Sequence, residues 1–248
     1  MSDALTMSAR SVRLSMRQVD ALITSLLLPV MLMLIFVELF GGAIRTGAGD
    51  YVTYVVPGVI LLCAGFGAAT TAVSVSQDMT GGIVDRFRSM DVGGAAVLGG
   101  HVAASVARNV ASTLLVIGVA VALGFRPVAD PLAWLAVAGI LLAFVVAVSW
   151  LAAAIGLLAG SPEAANGFTF FVMFLPYASS AFVPVATMPS WLQGWAKNQP
   201  VSVVVNAARS LTIGVGPTSE YVIKAIIWIV GIIAVCAPIA VARYRRAV

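Results

Sequence analysis

The chain has 248 residues, of which 61% are hydrophobic and 10% charged, and its mean hydropathy is +1.05. A soluble domain of this length covers one core with a charged skin, and 14 basic and 10 acidic side chains are too few to make one. The composition therefore excludes a water-soluble globular protein, and a net charge of +4 that gathers at the ends of apolar runs reports orientation across a bilayer rather than nucleic-acid binding.

Residues 1–20 come first, and they carry Leu5, Ala9, Val12, Met16 and Val19 on one helical stripe with Arg10, Arg13 and Arg17 on another. This pattern predicts an amphipathic helix lying on the inner membrane surface. Two readings of it stand side by side, a basic anchor on anionic lipid and an elbow that also touches a cytoplasmic partner.

Six apolar runs come next, at 21–40, 55–75, 102–125, 132–159, 167–185 and 221–242. Each is close to the roughly 20 helical residues that a hydrocarbon core about 30 Å thick requires. Lipid offers the backbone no hydrogen-bond partner, and the alternation of a membrane barrel is missing, so the expected class is an all-α integral membrane protein with six spans over residues 21–248. The first run is longer than a signal-peptide core and lacks a small-residue cleavage site. Arg10, Arg13, Arg17, Arg86, Arg88, Arg243, Arg245 and Arg246 fall on one side of this layout, against Arg45, Arg126, Lys197 and Arg209 on the other. The positive-inside bias thus predicts a multi-pass protein of the plasma or inner membrane with both termini cytoplasmic.

Between the second and third runs lies QDMTGGIVDRFRSMDVGGAAVLGG, residues 77–100. Gly81 and Gly82 interrupt the incoming helix, residues 83–90 can form a short one, and Gly93, Gly94, Gly99 and Gly100 loosen the stretch beyond it. On that short helix Ile83, Phe87 and Met90 share a stripe, flanked by Asp85, Arg86 and Arg88. Such a stripe suits docking onto a partner, or rest on lipid headgroups. Residues 188–220 come after a fifth run that contains Pro176 and Pro184. Their apolar stretch at 201–213 is too short to cross, and Trp191 and Trp195 are typical interface anchors, which predicts two short re-entrant or interfacial helices on the outer face separated at Gln199 and Pro200.

Charged residues within spans are functional suspects because each costs a few kcal/mol at mid-membrane. Glu38 and Arg108 are the candidate gate residues. For Glu38 the competing account is placement within a turn of the outer end, and for Arg108 it is snorkelling to headgroups; snorkelling also suffices for Lys224. Ser179 and Ser180, just past Pro176, either satisfy carbonyls freed by the proline or line a path, and Phe168, Phe170, Phe171 and Phe174 either pack helix against helix or form a wall for aromatic or lipid-like cargo. Phe171, Phe174, Pro176, Ser179 and Ser180 are accordingly the candidates for a translocation path or dimer interface. Cys63 and Cys236 read as buried small hydrophobes.

GGIVDRFRSM at 81–90 resembles the cytoplasmic coupling motif of the type-2 permeases of ATP-binding-cassette exporters, in the daunorubicin-resistance-like branch found in actinobacteria. PYASSAFVPVATMPSWL at 176–192, with NQPVSVVVNAARSL at 198–211, carries the same likeness, as does the layout of elbow helix, six spans and short outer helices. One departure is Asp91, where that branch commonly has proline. The resemblance implies efflux of drugs, polyketides or lipids, a second permease subunit, and a separate ATP-binding-cassette subunit that binds ATP and magnesium. It implies that 81–92 is the coupling helix, with Gly82, Ile83 and Met90 shaping it, Phe87 as its apolar plug, and Asp85, Arg86 and Arg88 orienting it.

The chain lacks a G-x-x-x-x-G-K-[ST] phosphate loop, so no cofactor is expected on it and ATP must be handled elsewhere. An intramembrane enzyme is disfavoured: His101 is the sole histidine and no Gly-x-Ser-Gly precedes a span, while Asp78, Asp85 and Asp91 are separated by docking-type residues rather than arranged as a cation cage. The main alternative is an ion-gradient-driven secondary transporter, which is expected to show repeated halves and mid-bilayer acids.

Overall fold

A computed structural model describes residues 19–44, 50–81, 94–127 and 129–247, and these residues are helical with short connections and no strand. The elements are α1 (Val19–Ile35) continued by a π-helical turn (Phe36–Phe40), α2 (Tyr51–Thr80), α3 (Gly94–Ala122), α4 (Pro131–Leu158), α5 (Pro162–Phe174), a 3-10 turn (Val185–Thr187), α6 (Ser190–Asn198), α7 (Pro200–Ile213) and α8 (Thr218–Ala247). Most of the surface elbow expected over 1–20, and the coupling segment with Gly82, Ile83, Asp85, Arg86, Phe87, Arg88 and Met90, lie outside the described residues.

Four helices are long and apolar enough to cross a membrane: Tyr51–Thr80, Ala96–Ala122, Pro131–Leu158 and Thr218–Arg246. The 30 residues of α2 extend about 45 Å at the helical rise, ample for the hydrocarbon layer. Apolar stretches Leu26–Phe40 and Pro200–Ile213 are shorter. Among the described residues, length and apolarity thus give four spans outright, not six.

The fifth run departs most from expectation. Its helix begins early, at Pro162, where the Ser161 hydroxyl accepts the Ala164 N–H at 3.2 Å and proline occupies the first turn. It then stops at Phe174 after 13 residues, about 20 Å of rise, and residues 175–183 form turns. The physical reason is Pro176, which supplies no N–H to continue the helical ladder and whose ring crowds the preceding turn, although Leu175 itself keeps helical dihedrals.

Helix α2 is the axis of the fold, packing against α1, α3, α4, α5 and α7. Its sequence explains this: small residues let neighbouring backbones approach. A Cβ added at Gly58 would lie 2.7 Å from the Cβ of Ala181 in the turn segment, and one at Gly156 of α4 would run into the Ala72 carbonyl. The α2 positions Val55, Val56, Val59, Leu61, Leu62 and Cys63 are all buried. By contrast α8 turns most of its apolar side chains outward.

Two short helices do occupy 188–220, separated at Gln199 as the sequence predicts. They differ in character. Helix α6 exposes Trp191 and Trp195, whereas α7 is buried on nearly every side, from Val201 to Thr212, and so is an internal helix rather than one lying on the surface. Gly214, at φ 70°, ends it in the left-handed geometry glycine adopts without strain.

Candidate functional site

The breakage of the fifth run leaves non-helical backbone packed against apolar helices, where every carbonyl and N–H needs a partner. Arg209 of α7 meets part of that need, at the carbonyls of Ser180 and Ala181. It is 3% exposed, and its Nε and Nη2 donate to the Tyr54 carbonyl at 2.9 and 2.6 Å, Nη1 to the Ser180 carbonyl at 2.6 Å, and Nη2 to the Ala181 carbonyl at 2.8 Å. The guanidinium also sits 3.5 Å from the centre of the Tyr54 ring, a cation–π contact. A planar fork with five N–H donors matches three converging carbonyls in a way that an ammonium does not.

Two tyrosines of α2 complete the fastening. Tyr54 donates its hydroxyl to the Ser180 carbonyl at 2.9 Å and Tyr51 to the Phe182 carbonyl at 3.1 Å. From α7 and the residue before it, Ser202 Oγ accepts the Ser180 N–H at 2.9 Å and Gln199 Nε2 donates to the Leu175 carbonyl at 3.3 Å. Ser179 donates to the Pro176 carbonyl at 2.5 Å and accepts the Ala181 N–H at 3.0 Å, while Ser180 Oγ donates to Asn206 Oδ1 at 2.9 Å. Of the two accounts of Ser179 and Ser180, these contacts describe the satisfaction of freed backbone groups: both serines are buried, as is Pro176.

On the outer side of this stapled segment the aromatic residues form a continuous ladder. Ring centroids are 5.6 Å apart for Phe40 and Phe36, 4.3 Å for Phe36 and Phe182, 5.4 Å for Phe182 and Tyr177, 5.8 Å for Tyr177 and Phe174, and 4.6 Å for Phe174 and Phe170. These lie in the range of favourable ring pairs. The ladder joins the π-helical end of α1 to the end of α5 across the turn segment. Phe171 is 73% and Phe174 52% exposed, and Phe168, Phe170, Tyr177 and Phe40 add to one broad apolar face. Glu38 is exposed on the same π-helical turn, a geometry that recurs at functional sites.

Arg108 is elsewhere. It is 7% exposed on α3 and donates from Nη2 to Thr71 Oγ1 of α2 at 3.0 Å, so it does not snorkel out. It joins a polar layer in which Ser149 of α4 donates to Ser105 Oγ of α3 at 2.8 Å. The structure therefore separates the two gate candidates, placing one on the open face and one inside. At the ends flanking the coupling segment, His101 Nε2 of α3 and Asp78 Oδ2 of α2 are 3.0 Å apart. This contact ties together the two helices from which residues 82–93 depart. Cys63 and Cys236 are both free and buried.

The family model for the ABC-2 type transporter matches residues 3–213. This chain belongs to that family. It is the membrane permease subunit of an ATP-binding-cassette exporter, as its relatives are. It is 31% identical over 228 residues to the daunorubicin resistance ABC transporter permease protein DrrB1 of Streptomyces coeruleorubidus, covering 91% of this chain and 80% of that one. With the probable doxorubicin resistance ABC transporter permease protein DrrC of Mycobacterium tuberculosis it shares 28% identity over 236 residues, covering 93% of this chain and 84% of that one.

Sequence reasoning missed Arg209, which it placed among the charges of the outer side. The signal was present: an arginine inside VVVNAARSL has no acidic residue within a helical turn, and two prolines upstream guarantee carbonyls in want of donors. Tyr51 and Tyr54, at the start of a long apolar run, carried no comparable sign.

Proposed function

We propose that this permease exports hydrophobic or amphipathic small molecules or lipids across the cell membrane, with the aromatic ladder of α1, α5 and the turn segment as the face that meets cargo or a second permease subunit. The observation that carries this reading is the exposure of Phe171, Phe174, Phe170 and Tyr177 on one side of a segment otherwise fastened by buried hydrogen bonds. A soluble or lipid-facing surface does not require interlocked rings, whereas a path for flat or greasy molecules gains from them. Drug resistance is the setting in which the named relatives stand, and daunorubicin and doxorubicin are the cargo to test first.

Two permease subunits, identical or similar, pair on this face, both termini lie in the cytosol, and a separate ATP-binding-cassette subunit docks on residues 81–92. ATP with magnesium closes the cassettes, and Phe87, with Ile83 and Met90 beside it and Asp85, Arg86 and Arg88 around it, receives that motion. The helices flanking the coupling segment then tilt as a body, held together at their feet by the Asp78–His101 contact. Glu38, exposed beside the ladder, and Arg108, inside the bundle, act at its two ends as gate residues.

Inside-out vesicles containing the permease and its co-purified ATPase test this directly. Uptake of daunorubicin is expected to require ATP and to persist when ion gradients are collapsed. The charge reversals Arg86→Glu and Arg88→Glu should abolish uptake while insertion and ATP hydrolysis remain. Phe171→Ala with Phe174→Ala should cut uptake about tenfold with unchanged yield, since exposed side chains contribute little to stability. Uptake driven by an ion gradient without nucleotide would establish the secondary-transporter reading instead, and full uptake by the arginine variants would remove the coupling assignment.

A further inference from the structure

A polar recess of about 430 Å³ lies where α6, α7 and the first turns of α8 meet the stapled segment. Its walls carry three cationic side chains, Lys197 of α6, Arg209 of α7 and Lys224 of α8, and one carboxylate, Glu220. That carboxylate is already engaged, with Lys224 Nζ 2.6 Å from Glu220 Oε1. Among the described residues neither Lys197 nor Arg209 has an acidic partner. Three cations against one anion leave the recess with a surplus of two positive charges.

The two unpaired cations differ in what they offer. Arg209 is buried and directs its N–H groups at backbone carbonyls and Asn206, so it contributes field rather than a contact, and out of water that field is weakly screened. Lys197 is exposed, and its ammonium makes no hydrogen bond or ion pair among the described residues. Asn206 Oδ1 accepts from Ser180 Oγ at 2.9 Å, which leaves Nδ2 as the donor end of that amide. The Tyr221 hydroxyl likewise makes no hydrogen bond among the described residues. Gly216, at φ 91°, makes room for its ring, because a Cβ there would lie 2.7 Å from Cε2. Donors of three kinds therefore line one recess whose carboxylate is held by Lys224.

We propose that this recess binds a phosphate monoester, presented by the headgroup of an anionic membrane lipid. A phosphate monoester carries about two negative charges and three acceptor oxygens, which matches both the charge surplus and the separate placement of Lys197, Asn206 and Tyr221. The headgroup as its source follows from the tryptophans around the recess. Trp191 and Trp195 are exposed on the same short helix as Lys197, and Trp228, one turn beyond Lys224, donates from Nε1 to the Asn198 carbonyl at 2.9 Å in the wall. Tryptophans gather at headgroup depth, and basic side chains there capture anionic headgroups. The volume falls within the roughly 300–1,000 Å³ of small-molecule sites, which leaves room for the glycerol ester beside the phosphate. The site stands independently of the ladder and of what is exported there.

The test titrates the purified full chain in detergent micelles with dioctanoyl phosphatidic acid, with phosphatidylcholine of the same chains and with inorganic phosphate, following bound lipid by native mass spectrometry and Tm. Phosphatidic acid is expected to bind saturably, one molecule per chain, and phosphatidylcholine at least about tenfold more weakly. Lys197→Glu should weaken phosphatidic acid about tenfold and Tyr221→Phe about threefold, each with an unchanged lipid-free melting curve because the groups removed hold nothing else in place. Arg245→Glu makes the same change in net charge at the far end of α8 and should leave binding as it was. Equal affinity for the two lipids would overturn the proposal, as would undiminished binding by Lys197→Glu and Tyr221→Phe, or an equal loss in Arg245→Glu. Inorganic phosphate that binds as tightly as phosphatidic acid would make a free anion the ligand and overturn the headgroup assignment.

Discussion

The bundle of α2, α3 and α4 and the stapled segment of residues 175–183 solve the same problem in opposite ways. In the bundle each backbone group is satisfied within its own helix, and the helices associate through small residues such as Gly67, Ala72 and Gly156. In the segment Pro176 ends the helix, and partners for the freed groups come from Arg209, Tyr51, Tyr54, Ser202 and Gln199. Regular helices in lipid are robust because no single side chain holds them. A broken one depends on a few residues far away in sequence: Arg209 and Tyr54 are 155 positions apart.

Removing Arg209 is therefore the sharpest way to test the contrast. Arg209→Ala takes a donor from each of the carbonyls of Tyr54, Ser180 and Ala181; Ser180 keeps the Tyr54 hydroxyl, and each carbonyl left with no donor costs about 1–3 kcal/mol. Loss of monodisperse protein, or a fall in Tm of more than about 6 °C, is expected. Arg209→Lys should recover part of the stability, since an ammonium cannot reach three carbonyls with the same geometry. If alanine at 209 leaves the melting curve in place, the segment is not held in the way described.

Gly58 joins the two regions, and its substitution probes both at once. Gly58→Val drives a side chain into Ala181 backbone and side-chain atoms, and overpacking of this kind costs about 1–3 kcal/mol. Protein should still be recovered, with a lower Tm and with proteolytic cleavage appearing first near residues 175–183. Cleavage confined to other connections would show that α2 yields before the turn segment does.

Legibility from the amino-acid sequence divides along the same line. Helices α2, α3, α4 and α8 were legible because apolarity over a bilayer's thickness leaves the chain no other fold. The pair of short helices around Gln199 was legible from Pro200 and from the shortness of the apolar stretch. The early end of α5 was half legible: Pro176 was visible as a bend, but that the bend becomes a full break depends on whether donors exist to receive the exposed carbonyls. Those donors sit on α2 and α7, and no local pattern relates Tyr54 to Ser180. The ladder was legible as aromatic residues but not as a connected series, because Phe36 and Phe182 meet only through the tertiary fold.

The smallest effect is expected where the bundle pairs two ionisable side chains next to the coupling segment. Asp78 and His101 have side chains 25% and 13% exposed, so their pairing contributes about 0.5–1 kcal/mol once screening by solvent is counted. Asp78→Ala should lower Tm by only about 1–3 °C, because α2 and α3 remain packed through Val75, Val97 and Leu98. Transport should respond more than stability does: if motion received at 82–93 is shared between these two helix ends, releasing one from the other lowers cargo moved per ATP hydrolysed. A variant that loses several degrees of Tm yet keeps that ratio would make the contact a structural tie alone, and would leave the helices to receive the stroke separately.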